Sequence, residues 1–306
     1  MIGFGETFYK LSGSGNDFVA FDRMAAAADG ALPTPEQVRA LCAPGTGVGA
    51  DGVVVLHPAP DVAYQLAYYN RDGSRAELCG NASLCSVRLA VELGLADPAG
   101  LRFLTDSGVL DGRIADGLPE IDLGAPAEIA ESRADLLEDS AHGDERAVGF
   151  ARVGVPHVVV ACEDSARVDL LARAPALRHH PSLRDGANVN FVSPSANEWR
   201  IRTYERGVEA ETLACGTGSV ASAILLGAWA RSGQVGRLRG ADDGATGPDR
   251  APGASGARSE ATVIRLRTRS GLVHRVTLRK RDGEIRPSLA GDARIVFRGQ
   301  LGEGDW

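Results

Sequence analysis

Two stretches of the chain open on a cysteine, pass through a glycine and run on as an apolar helix: CGNASLCSVRLAVELG from Cys79 and CGTGSVASAILLGAWA from Cys215. Superposing the two cysteines also matches Gly80 with Gly216, Ser83 with Ser219, Ser86 with Ser222 and Leu89 with Leu225, at a constant offset of 136 positions. A strand and a turn carrying tyrosine, acid and arginine lead into each helix, as YYNRDGSRAEL before Cys79 and TYERGVEAETLA before Cys215. Apolar residues cover all faces of both stretches rather than one stripe, which predicts helices buried at a centre. Such a repeat restricts the chain to two related halves, each built around a helix that begins on a cysteine.

The position of those cysteines suggests chemistry. The first turn of a helix leaves backbone N–H groups without intrahelical partners, and the macrodipole adds positive potential there; both favour thiolate over thiol. The same N–H groups bind anions, so two opposed helix N-termini would form a carboxylate site with a sulfur on either side. One thiolate could then remove a proton from a carbon next to the carboxylate while the opposite thiol donates one, inverting the centre without a cofactor. The remaining cysteines, Cys42, Cys85 and Cys162, read as small buried hydrophobes, since Cys85 points to another side of its helix and Cys162 ends an apolar strand. Five scattered cysteines with no CxxC fit reduced thiols rather than disulfides or a redox pair. His179 and His180 have no cysteine at ligand spacing, so no metal is expected. Only Lys10 and Lys280 are lysines, which leaves little scope for a Schiff base.

Composition narrows the partners. With 33 basic and 40 acidic residues the net charge is -7, so no basic excess exists to neutralise a nucleic-acid backbone. No apolar run reaches the length of a membrane span, and MIGFGETFYK lacks the pattern of a signal peptide; a cytoplasmic protein is expected. At 306 residues the chain is long enough for two domains. Strands are predicted between Thr7 and Asp22 around the SGSGN turn, at Val53 to Leu56 and Tyr64 to Asn70, and as short pieces from Leu101 to Leu123. A helix from Thr34 to Cys42 has Pro35 at its start and Pro44 and Gly45 beyond its end. The polar stretch Ala125 to Ala147 marks a domain boundary, giving residues 1–124 and 125–306. The second half continues with a strand at Val155 to Ala161, a helix at Asp169 to Leu177 and strands at Ala187 to Val192 and Trp199 to Glu205. Further strands are predicted at Thr262 to Arg269, Val273 to Arg279 and Arg294 to Leu301. Gly240 to Glu260 is nearly devoid of large apolar residues and reads as a flexible insertion.

GSGNDF, GTGVGADG, YYNRDGSRAELCGN, GVPHVVV, GANVNF and YERGVEAETLACGTGS occur in this order, and through them the chain resembles the diaminopimelate epimerase family from its first strand to its last. The resemblance implies an α+β fold of two similar domains, each a curved mixed β-sheet wrapped around a central α-helix, with the strand at 294–301 returning to the N-terminal half. It implies pyridoxal-independent interconversion of LL- and meso-diaminopimelate, a dicarboxylic diamino acid, in a cleft between the domains, on the route to lysine and peptidoglycan. A homodimer is compatible with it. Carried across, it makes Cys79 and Cys215 the acid/base pair and gives them His157 and Glu205 as polar partners, with Glu205 also meeting a substrate ammonium. It assigns the amides of Gly80, Asn81, Gly216 and Thr217 to the reacting carboxylate. Asn16, Asn70 and Asn188 become substrate contacts, and Arg206 the clamp on the distal carboxylate.

Two departures stand out. Val155 occupies the place of an asparagine that contacts substrate in the commoner family pattern, and Ser83-Leu84 replaces an Ala-Arg or similar pair. The competing readings are another cofactor-free racemase or isomerase of the same fold, and a thiol redox or non-catalytic amino-acid-binding protein. A monocarboxylate substrate would leave Arg206 and the asparagines without a distal group, and a redox protein would favour CxxC. GTGVGADG lacks the lysine of a phosphate loop and reads as a tight turn bordering the cleft.

Overall fold

The structure, a computed structural model, describes residues 3, 5–25, 32–137, 144–235 and 261–303. The segment 240–260, expected as an insertion, lies outside the described residues. The elements in chain order are β1 Thr7–Gly13, β2 Asn16–Asp22, α1 Pro35–Cys42, β3 Gly52–His57, β4 Tyr64–Asn70, β5 Arg75–Ala76, α2 Gly80–Glu92, β6 Leu101–Thr105, β7 Gly108–Ala115 and β8 Leu118–Asp122. There follow β9 Glu128–Ala130, β10 Glu145–Val153, β11 Val155–Cys162, α3 Leu170–Arg178, β12 Asn188–Ser195, β13 Glu198–Glu205, β14 Ala210–Thr212, α4 Gly216–Ser232, β15 Ala261–Arg267, β16 Val273–Arg281, β17 Glu284–Ala290 and β18 Ala293–Gln300. The fold is α+β. Two compact units divide it: Met1–Asp122 with Ala290–Trp306, and Leu123–Leu289. β10 begins inside the stretch read from its polarity as a boundary, and β17, with Pro287 in its middle, carries no clear strand signal.

In the first unit β2 pairs antiparallel with β1 and parallel with β3, β3 antiparallel with β4, and β4 antiparallel with β5 and parallel with β6. The antiparallel pairs β6–β7 and β7–β8 complete the series. In the second unit β11 pairs antiparallel with β10 and parallel with β12, β12 antiparallel with β13, and β13 antiparallel with β14 and parallel with β15. β15 and β16 follow as an antiparallel pair. The repeat seen in the two cysteine helices therefore extends to the strands: each half uses the same order and the same sense of pairing. The outermost strand of each series comes from elsewhere in the chain. β18, which follows the second half in sequence, pairs with β1, and β9, which follows the first, pairs with β10.

Parallel pairing and burial on both faces explain the continuous apolar runs. Val53, Val54, Val55 and Leu56 are all buried because β3 has a helix on either side. Val53 and Val55 pack with Val19, Phe21, Ala67 and Tyr69 against Val38, Leu41 and Cys42 of α1, whose first turn is closed by a capping box of Thr34 and Gln37. The other side belongs to α2, which touches β1, β3, β4, β7, β8 and β18. Its residues Gly80–Val87 are buried without a gap. The second unit repeats this arrangement: Val158, Val160, Val189 and Phe191 pack with Leu170, Ala174 and Leu177 of α3. Within it α4 touches β10, β11, β12, β15 and β16, and every residue from Gly216 to Trp229 is buried. Each central helix is thus apolar all round because a sheet curves about it.

Candidate active site

Cys79 and Cys215 are the N-cap residues of α2 and α4. Their backbones match closely, at φ -131°, ψ 116° and φ -132°, ψ 112°, and no side-chain oxygen caps either helix. A usual Ser, Thr or Asp cap would occupy a first-turn N–H; a cysteine leaves those donors for a ligand and puts its sulfur beside them. Gly80 and Asn81, and likewise Gly216 and Thr217, are the first two helical residues and supply these amides.

In the second unit a chain of contacts reaches Cys215. The Thr217 Oγ1 lies 3.6 Å from Cys215 Sγ and 3.0 Å from Nε2 of His157, a residue with no solvent exposure on β11. Burial, and then the positive charge of Arg206, hold the His157 imidazole down at about 3, so it is neutral near pH 7. Asn190 lies 3.3 Å from its other ring nitrogen. Parallel pairing sets this up by placing His157 opposite Asn188 and Val159 opposite Asn190. Asn188 is spent on the backbone: its Oδ1 accepts from the Arg206 amide at 2.7 Å and its Nδ2 donates to Pro156 O at 3.4 Å. It therefore fixes the start of the turn that carries Arg206, whose guanidinium donates to Asp185 O at 3.2 Å. Glu205 ends β13, half-buried, one residue before it.

In the first unit Asn81 Nδ2 donates to Asn16 Oδ1 at 2.7 Å, and Asn16 Nδ2 donates to Asp51 Oδ2 at 3.0 Å. Asp51 and Asp17 also exchange backbone contacts, 3.3 Å from the Asp17 amide to Asp51 and 3.1 Å in return. The GNDF and GADG motifs are therefore one construction, which holds the Asn81 side chain two residues beyond Cys79. Asn81 Oδ1 is buried and has no partner among the described residues. Asn70 Nδ2 donates to Ser74 Oγ at 3.0 Å and closes the NRDGS turn that precedes α2.

The other thiols and the lysine fall outside this chemistry. Burial pushes Cys42 up to about 11, Cys162 up to about 12 and Cys85 well above its ordinary value. Cys79 and Cys215 are half-buried. Lys10 is buried, with its ammonium paired to Asp17 and to the Gly49 carbonyl. No cluster of three or more histidine, cysteine or acidic residues that could hold a metal occurs among the described residues, and none of the described helices is long and apolar enough to cross a membrane.

The model of one family, diaminopimelate epimerase, matches residues 8–127 and 149–234. The chain belongs to the diaminopimelate epimerase family. It is 43% identical over 298 residues to the diaminopimelate epimerase of Gemmatimonas aurantiaca, covering 96% of this chain and 99% of that one. It is 39% identical over 227 residues to that of Aquifex aeolicus, covering 71% of this chain and 80% of the relative. Among solved structures the fold is shared with a Bacillus anthracis phenazine biosynthesis protein of the PhzF family, at TM-score 0.67 and 16% identity, covering 97% of this chain and 98% of that one. A hydroxyproline epimerase of Agrobacterium vitis superposes at TM-score 0.60 and 16% identity, over 98% of this chain and 93% of that one. Family membership places the chain among the isomerases, as an epimerase.

Two residues that the motifs alone did not single out hydrogen-bond to candidate site residues of this diaminopimelate epimerase family member: Asp51 to Asn16 and Asn190 to His157. Asp51 hides in a glycine-rich stretch that resembles a turn, and Asn190 follows Asn188 by two positions. In a strand that period returns a side chain to the same face, which was the available signal.

Proposed function

We propose that the chain interconverts LL- and meso-diaminopimelate by proton transfer at the α carbon, with Cys79 and Cys215 as a thiolate/thiol pair and no pyridoxal. The observation that carries this reading is a cysteine at the N-cap of each repeated central helix, in a chain 43% identical nearly end to end to a diaminopimelate epimerase. The thiolate takes the α proton from one face, the thiol of the other cysteine delivers a proton to the opposite face, and the roles exchange in the reverse direction. Negative charge developing on the substrate carboxylate is met by the amides of Gly80, Asn81, Gly216 and Thr217, whose dipoles are already oriented. His157 acts on Cys215 through Thr217. Arg206, with its backbone held by Asn188, clamps the distal carboxylate, and Glu205 receives an ammonium. Asn16, tied to Asp51, orients Asn81. Asn70 shapes the turn leading to Cys79 and faces substrate from it. The reaction belongs to the synthesis of lysine and peptidoglycan precursors in the cytoplasm.

Incubation with LL-diaminopimelate in heavy water, followed by mass and stereochemical analysis, tests substrate and mechanism together. One deuterium at the inverted α carbon, with activity surviving dialysis and carbonyl reagents, is the expected result. Turnover of a monocarboxylate amino acid but not of diaminopimelate would refute the substrate assignment.

A further inference from the structure

Asn190 is held so that its amide can face only one way. Its Nδ2 donates to the Val158 carbonyl at 3.0 Å, a group that only accepts, and its Oδ1 accepts from the Thr203 hydroxyl at 2.9 Å. Reversing the amide would set two oxygens against each other, so the amino group must point toward His157. The ring nitrogen Nδ1, 3.3 Å from that amino group, is then confined to accepting. A neutral imidazole whose Nδ1 accepts carries its proton on Nε2, and this N–H donates to Thr217 Oγ1 at 3.0 Å. With that lone pair engaged, the Thr217 hydroxyl hydrogen is available to Cys215 Sγ at 3.6 Å.

We propose that Asn190 is a positioning residue: it ties His157 into the Nε2–H tautomer, which aims the Thr217 hydroxyl at Cys215 and holds that sulfur as the thiolate, the proton acceptor of the resting enzyme. The inference deepens the epimerase reading and rests on it for the role of Cys215. Every link lies within the second unit. The cationic neighbour felt by the imidazole is Arg206, which opposes a second ring proton and so preserves the polarity of the chain. Gly218 makes room for the arrangement, because a Cβ there would lie 2.4 Å from Asn190 Oδ1 and 3.3 Å from Cys215 Sγ.

Two measurements on the full-length protein test this. Nitrogen NMR of histidine-labelled protein, with the His157 signal identified by its absence in His157→Gln, should show the Nε2–H tautomer in the folded, substrate-free enzyme. An Nδ1–H tautomer or an imidazolium overturns the proposal, and this arm needs no change at Asn190. The second measurement follows alkylation of Cys215 by iodoacetamide against pH in a Cys79→Ala background. Asn190→Asp, whose carboxylate draws the ring proton to Nδ1, should slow alkylation at pH 7 by about tenfold or more, and Thr217→Val should do the same. Thr217→Ser should restore it. Folded Asn190→Asp protein with an unchanged profile refutes the inference. Epimerisation of LL-diaminopimelate by the unaltered enzyme is scored separately. Turnover with the wrong tautomer sinks only the role of Asn190, whereas the right tautomer without turnover sinks only the substrate reading.

Discussion

Each cysteine at a helix start faces oriented amides, and its removal should act on chemistry rather than on binding. Cys79→Ala and Cys215→Ala are each expected to lower epimerisation by about 10²- to 10⁴-fold while a substrate analogue still binds, because the amides and Arg206 remain. Cys85→Ala should keep most activity, and Arg206→Ala should weaken binding by about 2 to 5 kcal/mol through loss of its charge pair. Steady-state kinetics beside calorimetric binding of the analogue separates the two effects. Gly218→Ala is a structural test: Asn190 Oδ1, 2.4 Å from the new Cβ, is pinned and cannot swing aside. Activity should drop sharply with the far-ultraviolet dichroism unchanged. The two helix-start cysteines were legible in the sequence because the repeat doubled the signal; Arg206 came only through the family resemblance. Asn188 was expected as a substrate contact from the family motif, but its engagement with Pro156 and Arg206 was not legible, since a side chain's partners depend on strand register. The same holds for Asp51 and Asn190, whose neighbours are far away in sequence.

Among the elements, β1 and α2 approach closely. A Cβ on Gly13 would come within 2.6 Å of Cys85 Sγ and 3.0 Å of the Asn81 carbonyl, so β1, which ends just before the GNDF motif, can lie this close to the cysteine helix only with glycine there. Gly13→Ala should destabilise the protein by about 1 to 3 kcal/mol through overpacking, and adding Cys85→Ala should recover part of that loss. Denaturation midpoints of the single and double variants check it. No recovery would mean that the backbone carbonyl, not the sulfur, sets the limit. Most elements were legible from periodicity: α1 from its cap and α2 and α4 from their all-round apolarity. β17 escaped because a proline interrupts its pattern, and β10 because its first residues are polar.

At the scale of the whole molecule, stability should depend on pH through two buried imidazoles. Burial holds His274 down at about 4, with its Nδ1 2.7 Å from Ser219 Oγ of α4, and burial together with Arg206 holds His157 at about 3. In the unfolded chain both titrate near 6.5. As pH falls from about 6.5 toward 4, the unfolded state takes up protons that the folded state refuses, so stability declines by about 1.4 kcal/mol per pH unit for each imidazole. Above about 6.5 neither group contributes any slope. Urea denaturation of the unaltered protein and of His274→Gln at pH 7 and pH 5 should show a smaller loss in the variant. Equal losses would remove His274 from the account.

β18 gives the chain an order of events in time. One edge of β1 pairs with the neighbouring β2, but the other finds its partner only in Ala293–Gln300, with Thr7 opposite Gln300. During synthesis the N-terminal unit therefore leaves the ribosome with one edge unpaired and keeps it until residues 293–300 emerge, after the whole second unit. Contacts of such sequence separation form slowly, and an open strand edge invites pairing with other chains. A chain ending at Leu289 should accordingly aggregate during expression, and a peptide spanning 290–303 supplied in trans should raise its soluble yield. The strand Ala293–Gln300 works as a clasp on the N-terminal unit that can close only after the second unit, which ends at Leu289, has been made, so the first unit waits for the second to be synthesised before its own sheet is complete.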